Sequence, residues 1–251
     1  MGKPKVGVFG LTGCAGDQLA ILNCEDQLLD LFQWVEIKDF VMASSGGDPW
    51  GALDIAFVEG AVMSKRDEEY LRAIRDRARM LISIGTCASH PAAVAVMSDV
   101  ERLPLIRQIY GETGDSYDSL APRAQAQVVR VDLAITGCPI EEHQFLEAVS
   151  ELLNGSLPVF PRYPVCGECR MRENNCLLLE KGELCWGPLA VAGCHARCPS
   201  LGVGCIGCRG PAEDANLESA RSMFFKAGFQ ETEIERKLRI LAPEPAGTPV
   251  H

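Results

Sequence analysis

The chain lacks the features that would tie it to nucleic acid or to a lipid bilayer. No basic stripe is present, and the formal net charge is −10, so nothing gathers the cations needed to neutralise a phosphate backbone. No apolar run is long enough to span a membrane. From Met1 to Lys5 the sequence runs straight into a strand-like segment, with no apolar h-region and no twin-arginine leader, and no anchor helix stands at the other end. The expectation is a cytoplasmic protein with no membrane span. A tandem Cys-Cys pair is also missing, and no internal repeat is visible. The loop Gly10-Leu11-Thr12-Gly13-Cys14-Ala15-Gly16-Asp17 has the wrong spacing for G-x-G-x-x-G, which argues against a dinucleotide site.

What is abundant is cysteine. Twelve occur in 251 residues, and eight of them fall between Cys166 and Cys208. In a reducing compartment that many thiols point to metal rather than to disulfides. Apolar residues at 47% and charged residues at 23% are ordinary globular values.

The first half alternates strand and helix. Strands are expected at 5–9, 36–42, 53–58, 80–84 and 131–135. Helices are expected at 17–32, with Leu19, Leu22, Leu28, Leu29 and Phe32 near one face, at 65–79 and at 141–153. Residues 99–127 receive no assignment. Such alternation predicts an α/β fold with a parallel sheet covered on both faces, of flavodoxin-like architecture. After Gly155 the character changes: prolines 158, 161 and 164 punctuate the junction. The expected division is a flavodoxin-like domain at 1–155 and a small, irregular, Cys-rich domain at 156–251, which needs something other than an ordinary core to fold it. Helices at 215–227 and 232–241 close the chain, the second with a Thr232/Glu235 capping box, and 242–251 form a loose tail.

The thiols of the second half read Cys166-x2-Cys169-x6-Cys176-x8-Cys185-x8-Cys194-x3-Cys198-x6-Cys205-x2-Cys208. Eight thiolates divide into two sets of four, and each set suits tetrahedral zinc or a [4Fe–4S] cluster. Gly- and Pro-rich loops such as Cys185-Trp186-Gly187-Pro188 favour the cluster, because open backbone can wrap a bulky cube and donate N–H groups to its sulfides. In the first half, Cys14, Cys87 and Cys138 each follow a strand by a few residues. Parallel strands end on one edge of a sheet, so topology alone brings these three together. Three unconnected core thiols are the alternative.

A fourth ligand is needed there. Asp17 occupies the place of a C-x2-C partner, and Cys24 is its rival. Seven residues along one helix separate the two by about 10 Å, so Cys24 reads as a buried core thiol. Asp17 is either a ligand or an acidic residue favoured at a helix N-terminus. Glu59, at a strand end near the same edge, is either a proton relay or a structural carboxylate. His195 lies between two cysteines and either hydrogen-bonds a cluster sulfide or faces solvent; His143 reads as a surface residue.

Taken together, Pro164-Val165-Cys166-Gly167-Glu168-Cys169-Arg170, Glu173-Asn174-Asn175-Cys176, Cys185-Trp186-Gly187-Pro188, Ala192-Gly193-Cys194 through Cys198-Pro199, and Gly204-Cys205-Ile206-Gly207-Cys208-Arg209-Gly210 resemble the small subunit of cytosolic [NiFe] hydrogenases, closest in flavour to sulfhydrogenase delta subunits and F420-non-reducing hydrogenase small subunits. Phe57-Val58-Glu59-Gly60 and Gly137-Cys138-Pro139 extend the likeness over nearly the whole chain. The resemblance implies three [4Fe–4S] clusters: a proximal one on Cys14, Cys87 and Cys138, for which Asp17 is the candidate fourth ligand by its place three residues after Cys14, a medial one on Cys194, Cys198, Cys205 and Cys208, and a distal one on Cys166, Cys169, Cys176 and Cys185. Cys198 stands where many membrane-linked relatives carry Pro and a three-iron cluster, so it implies four irons. Asp17 stands where the family usually has its second proximal Cys, Gln18 where Glu is common, and Ile140 where a second Pro is usual. His90-Pro91 interrupts a usually Gly-rich stretch.

All C-x2-C pairs are used by these sets, so the Ni–Fe centre is expected on a large partner subunit. The implied role is electron relay to a flavin-containing NAD(P) diaphorase or a heterodisulfide-reductase-type subunit. A nickel-free electron-transfer subunit of another redox complex and a zinc-stabilised binding module are the alternatives.

Overall fold

The computed structural model describes residues 2–44, 47–48, 51–91, 94 and 102–241. The expected tail at 242–251 lies outside the described residues. Five parallel strands form one sheet in the order β2-β1-β3-β4-β5: β1 (Lys5–Gly10), β2 (Glu36–Phe40), β3 (Leu53–Glu59), β4 (Ala78–Ile84) and β5 (Leu133–Ile135). This is the flavodoxin-like order, with its switch point between β1 and β3. The period-two alternation of side chains sorts the core onto two faces. Val6, Val8, Ile55, Phe57, Ile82 and Ile84 pack to one side against α1 (Gly16–Leu22), α2 (Glu25–Phe32) and the helix at Glu142–Leu153. Phe9, Ala56, Val58 and Leu81 pack to the other, against Leu71 and Ile74 of α3 (Lys65–Arg77).

The helix expected at 17–32 is two helices. Asn23 and Cys24 separate α1 from α2, the Cys24 N–H closes a tight turn onto the Ile21 carbonyl, and Glu25 takes a left-handed backbone (φ 40°). Ala20, Ile21, Cys24 and Leu28 are all buried. They keep one stripe across the break, which is why the periodicity reads as a single helix. Leu19 and Leu29 are exposed, not core-facing.

The unassigned stretch holds short pieces: a four-residue α4 (Thr86–Ser89) precedes it, then come α5 (Arg102–Tyr110) and 3-10 turns at Gly111–Ser116 and Gln125–Gln127. Its anchor is polar and therefore invisible to hydrophobic patterning. Fully buried Gln125 donates to the carbonyls of Val58 (3.1 Å) and Gly60 (2.9 Å) and accepts from the Ser83 hydroxyl (2.7 Å).

The C-terminal part adds α6 (Glu142–Leu153), α7 (Val165–Met171), α8 (Leu177–Glu180), α9 (Arg197–Ser200), α10 (Leu217–Lys226) and α11 (Glu231–Leu241). Trp186 and Phe224, edge to face at 4.8 Å, centre a separate apolar cluster with Val165, Leu189, Ile234 and Leu238. The Thr232/Glu235 capping box is not formed. Helix α11 starts one residue earlier, on the Gln230 carbonyl, and Glu235 instead accepts a paired contact from Arg221 of α10 at 2.6 and 3.2 Å. A bidentate guanidinium is the stronger partner for that carboxylate.

Asp132, just before β5, ties α3 to the sheet. It accepts from the Leu81 N–H (2.9 Å) and from Arg75 (2.6 Å), and its own N–H donates to the Leu81 carbonyl (2.9 Å). Burial raises its pKa, but these donors outweigh burial and hold the carboxyl below the usual range. Asp132→Ala is expected to cost about 2–3 kcal/mol at pH 7, since a strand N–H and a guanidinium both lose their acceptor. A carboxylate with a depressed folded pKa stabilises fully above its unfolded value of about 3.9. The difference between the two proteins should therefore shrink as pH falls below that value; denaturant unfolding at pH 7 and at low pH measures both.

Candidate functional site

Strands β1, β4 and β5 end at Gly10, Ile84 and Ile135, and Cys14, Cys87 and Cys138 follow them on the same rim. Cys14 and Cys138 are exposed and Cys87 is half-buried. Burial, then the proximity of Cys138, Asp17 and Cys14, pushes the Cys87 thiol up to about 12. Burial also raises Cys138, with Asp17 and Cys14 again its neighbours. The four side chains named as the proximal set thus share one electrostatic neighbourhood. Cys24 lies away from it, buried in the sheet core with its thiol on the Ala20 carbonyl (3.5 Å).

Asp17 sits in the first turn of α1, buried, with one carboxylate oxygen accepting from the Ile140 N–H (2.8 Å). Gly85, at φ 83°, packs directly on the same carboxylate; a β-carbon there would overlap it. Burial is the main reason that its pKa rises to about 7, helped by Glu59 and opposed by the Ile140 N–H. Glu59 is 2% exposed and accepts from the backbone N–H groups of Asp17 and Gln18 (3.3 Å each) and from the Gln18 amide (3.0 Å). It therefore fixes the N-terminus of α1, where a carboxylate also meets the positive end of the helix.

In the C-terminal part, burial and the proximity of Cys185, Cys169 and Cys176 push Cys166 up to about 11. Those are the four residues of the distal set. Gly187 lets backbone lie against two of their sulfurs, for an added β-carbon would stand 3.3 Å from Cys166 Sγ and 3.4 Å from Cys185 Sγ. Cys194, Cys198, Cys205 and Cys208 line one cavity together with Val165 and Arg209. Burial, then Cys194 and Cys138, raises Cys208 to about 11, and burial raises Cys205 well above its ordinary value. Thiols held this high must give up protons when metal binds, so the positive charge of a bound group supplies what these rings lack. Among the described residues no three His, Cys, Asp or Glu side chains are arranged to hold a single metal ion.

The expected sets adjoin one another. Cys208 feels Cys138 of the rim, and the Thr86 hydroxyl lies against both the Gly137 carbonyl (2.8 Å) and the Cys208 carbonyl. At the other end the Cys205 N–H donates to Cys185 Sγ (3.3 Å).

Buried charges inside the cysteine loops are what sequence reasoning missed. Glu168, 5% exposed, accepts from the N–H groups of Gly193 (2.8 Å) and Ala196 (3.1 Å) and so holds the loop around Cys194. Arg209, 4% exposed, donates to the Ala192 carbonyl (3.0 Å) and to Gln144 of α6 (2.6 Å). The available signal was position: Glu168 stands between Cys166 and Cys169, and Arg209 directly follows Cys208. His195 is exposed and stacks on His143, ring centroids 4.5 Å apart.

Two buried side-chain N–H groups that follow cysteines of these sets have no protein partner: Trp186 Nε1, after Cys185, and Arg209 Nη1, after Cys208. Unpaired buried donors are costly. They fit a resident group that carries acceptor atoms beyond its cysteine ligands, as the sulfides of an iron–sulfur cluster do and a lone zinc ion does not.

The family model described as NADH ubiquinone oxidoreductase, 20 Kd subunit, matches residues 14–152. The chain is 40% identical to sulfhydrogenase 2 subunit delta of Pyrococcus furiosus over 95% of this chain and 99% of that one. It is 28% identical to a subunit of the F420-non-reducing hydrogenase vhu of Methanocaldococcus jannaschii, over 94% of this chain and 93% of that one. Among solved structures, a chain of an NAD+-reducing [NiFe]-hydrogenase superposes with a TM-score of 0.56 at 27% identity, covering 63% of this chain and 96% of that chain. An actinobacterial-type NiFe-hydrogenase chain from Ralstonia eutropha H16 shares the fold (TM-score 0.55, 18% identity, 95% and 90% covered). None of the described helices is long and apolar enough to cross a membrane. With the flavodoxin-like sheet, the rim cysteines and the Cys-rich segment in place, the chain belongs to the small-subunit family of [NiFe] hydrogenases.

Proposed function

We propose that this chain is the electron-relay subunit of a cytoplasmic [NiFe] hydrogenase. It would hold three [4Fe–4S] clusters in two domains, 1–155 and 156–251. Cys14, Asp17, Cys87 and Cys138 would hold the proximal cluster, Cys194, Cys198, Cys205 and Cys208 the medial, and Cys166, Cys169, Cys176 and Cys185 the distal. When bound, such clusters supply reversible one-electron transfer at potentials that surrounding hydrogen bonds and charge adjust. The chain's own work is to fix three donor sets in sequence, with Cys205 of the medial set and Cys185 of the distal set buried. The observation that supports this reading is the hydrogen bonding that links neighbouring sets: the Thr86 hydroxyl lies against the carbonyls of Gly137, next to Cys138, and of Cys208, and the Cys205 N–H donates to Cys185 Sγ.

Cys14 and Cys138 are exposed, which leaves the rim open to a partner. In this reading that partner is the large subunit with the Ni–Fe centre, and a flavin/NAD(P) diaphorase or heterodisulfide-reductase-type subunit takes electrons at the far end. The names of the relatives support a hydrogenase complex. The family model's NADH ubiquinone oxidoreductase description keeps a nickel-free redox complex as the second reading. Affinity purification of the tagged chain under anaerobic conditions separates them. The first predicts a co-purifying nickel subunit and H2-dependent dye reduction; an iron-rich complex without nickel favours the second.

Glu59 serves in this reading as the anchor of α1 rather than as a proton relay, since three donors occupy its two oxygens. For Asp17 the proposal is direct. Replacing it with Cys in the intact complex should keep the iron content and shift the proximal midpoint potential, because thiolate is a softer donor than carboxylate. An unchanged potential and EPR signal would remove Asp17 from the ligand set.

A further inference from the structure

Arg209 is the least expected side chain in the molecule: a guanidinium with 4% exposure, inside a cavity that four cysteines line. Its Nε and Nη2 are held by the Ala192 carbonyl and Gln144, which fixes the plane of the group, while Nη1 is buried and has no partner. Gly193, at φ 116°, makes room for it; an added β-carbon would stand 2.7 Å from Arg209 Nη2. Glu141 and Glu168 are the acidic side chains whose charge reaches it. Neither accepts a hydrogen bond from it: Glu141 pairs with Arg197 (2.6 Å) and Glu168 takes two backbone N–H groups. An arginine positioned this tightly yet left with a free donor is arranged for an acceptor on the cavity side.

We propose that Arg209 is a positioning residue that raises the reduction potential of the medial cluster, by placing a fixed positive charge and the Nη1–H donor beside the ring of Cys194, Cys198, Cys205 and Cys208. This rests on the cluster reading above. The physical reason is general: reduction adds an electron to an anionic group, and a nearby buried cation stabilises the reduced state more than the oxidised one. Because Gln144 lies on α6 and Ala192 in the Cys-rich segment, the same side chain ties the charge to the junction across which electrons leave the rim.

The test is an EPR-monitored redox titration of the anaerobic complex carrying Arg209→Gln or Arg209→Lys, with iron content measured in parallel. Arg209→Gln removes the charge. At a fixed potential it should lower the reduced-to-oxidised ratio of one cluster at least tenfold, about 59 mV for one electron, and leave the other two in place. Arg209→Lys keeps the charge and loses the planar donor, so its ratio should fall in the same direction by roughly threefold. With iron intact, a Gln variant that titrates like the wild type overturns the proposal. If the Gln variant loses iron, the Lys variant decides: an unmoved or raised midpoint overturns it, and a downward shift supports it. Wild-type protein without iron–sulfur signals would instead sink the cluster reading itself, so the two failures are distinguishable.

Discussion

Cys205→Ser is expected to lower the iron content of the purified chain from about twelve atoms to about eight, the loss of one four-iron group out of three. Cys205 is 7% exposed, its thiol belongs to the ring with Cys194, Cys198 and Cys208, and its N–H holds Cys185 of the neighbouring set. A serine hydroxyl keeps the shape of the site but is a harder, more basic donor that binds iron poorly. In the proposed relay the medial set joins the outer two, so hydrogen-dependent reduction of a large acceptor should fall with the iron. Cys24→Ser is the matched control. Cys24 is the thiol outside all three sets, 2% exposed in the sheet core, and its replacement should cost stability of about 1–2 kcal/mol from burying a hydroxyl while leaving all twelve irons. Metal analysis of the two variants side by side measures the contrast.

Glu168→Ala is expected to destabilise the Cys-rich segment by about 3–5 kcal/mol, the range for breaking a buried charged network. Two backbone N–H groups of the Cys194 loop point at this carboxylate, and both are buried with it. Hydrogen bonds to a charged acceptor contribute about 1.5–3 kcal/mol each, and removing the acceptor strands both donors away from water. A loss of that size lowers the melting temperature by roughly 6–20 °C in a chain of this length. Glu168→Gln retains an acceptor oxygen and should show less than half of the shift. Thermal unfolding of the three proteins checks the order: wild type highest, Gln between, Ala lowest.

The sheet was legible because its signal is repetitive. Runs such as Leu53–Val58 and Leu81–Ile84 bury side chains on both faces, and the strand-end positions of Cys14, Cys87 and Cys138 followed from parallel topology alone. The break at Asn23–Cys24 was not legible, because the buried stripe Ala20, Ile21, Cys24 and Leu28 stays in phase through it. Gln125 escaped notice for the opposite reason: it ties β3 to β4 near their ends through three hydrogen bonds, and no hydrophobic period announces a polar anchor. The same holds at the site. Cysteine spacing shows eight thiols that divide into two fours, whereas nothing in the local sequence marks Glu168 and Arg209 as buried until the fold turns them inward. Glu235 shows how tertiary contact overrides a local motif, since Arg221 takes the carboxylate that a capping box would have used.

What the thiols hold matters most, and quantifying iron, zinc and acid-labile sulfide per polypeptide decides it. The chain, purified anaerobically with its co-expressed partner subunits, should contain about twelve irons and about twelve sulfides, with zinc well below one. One or two zinc ions with neither iron nor sulfide would contradict the account.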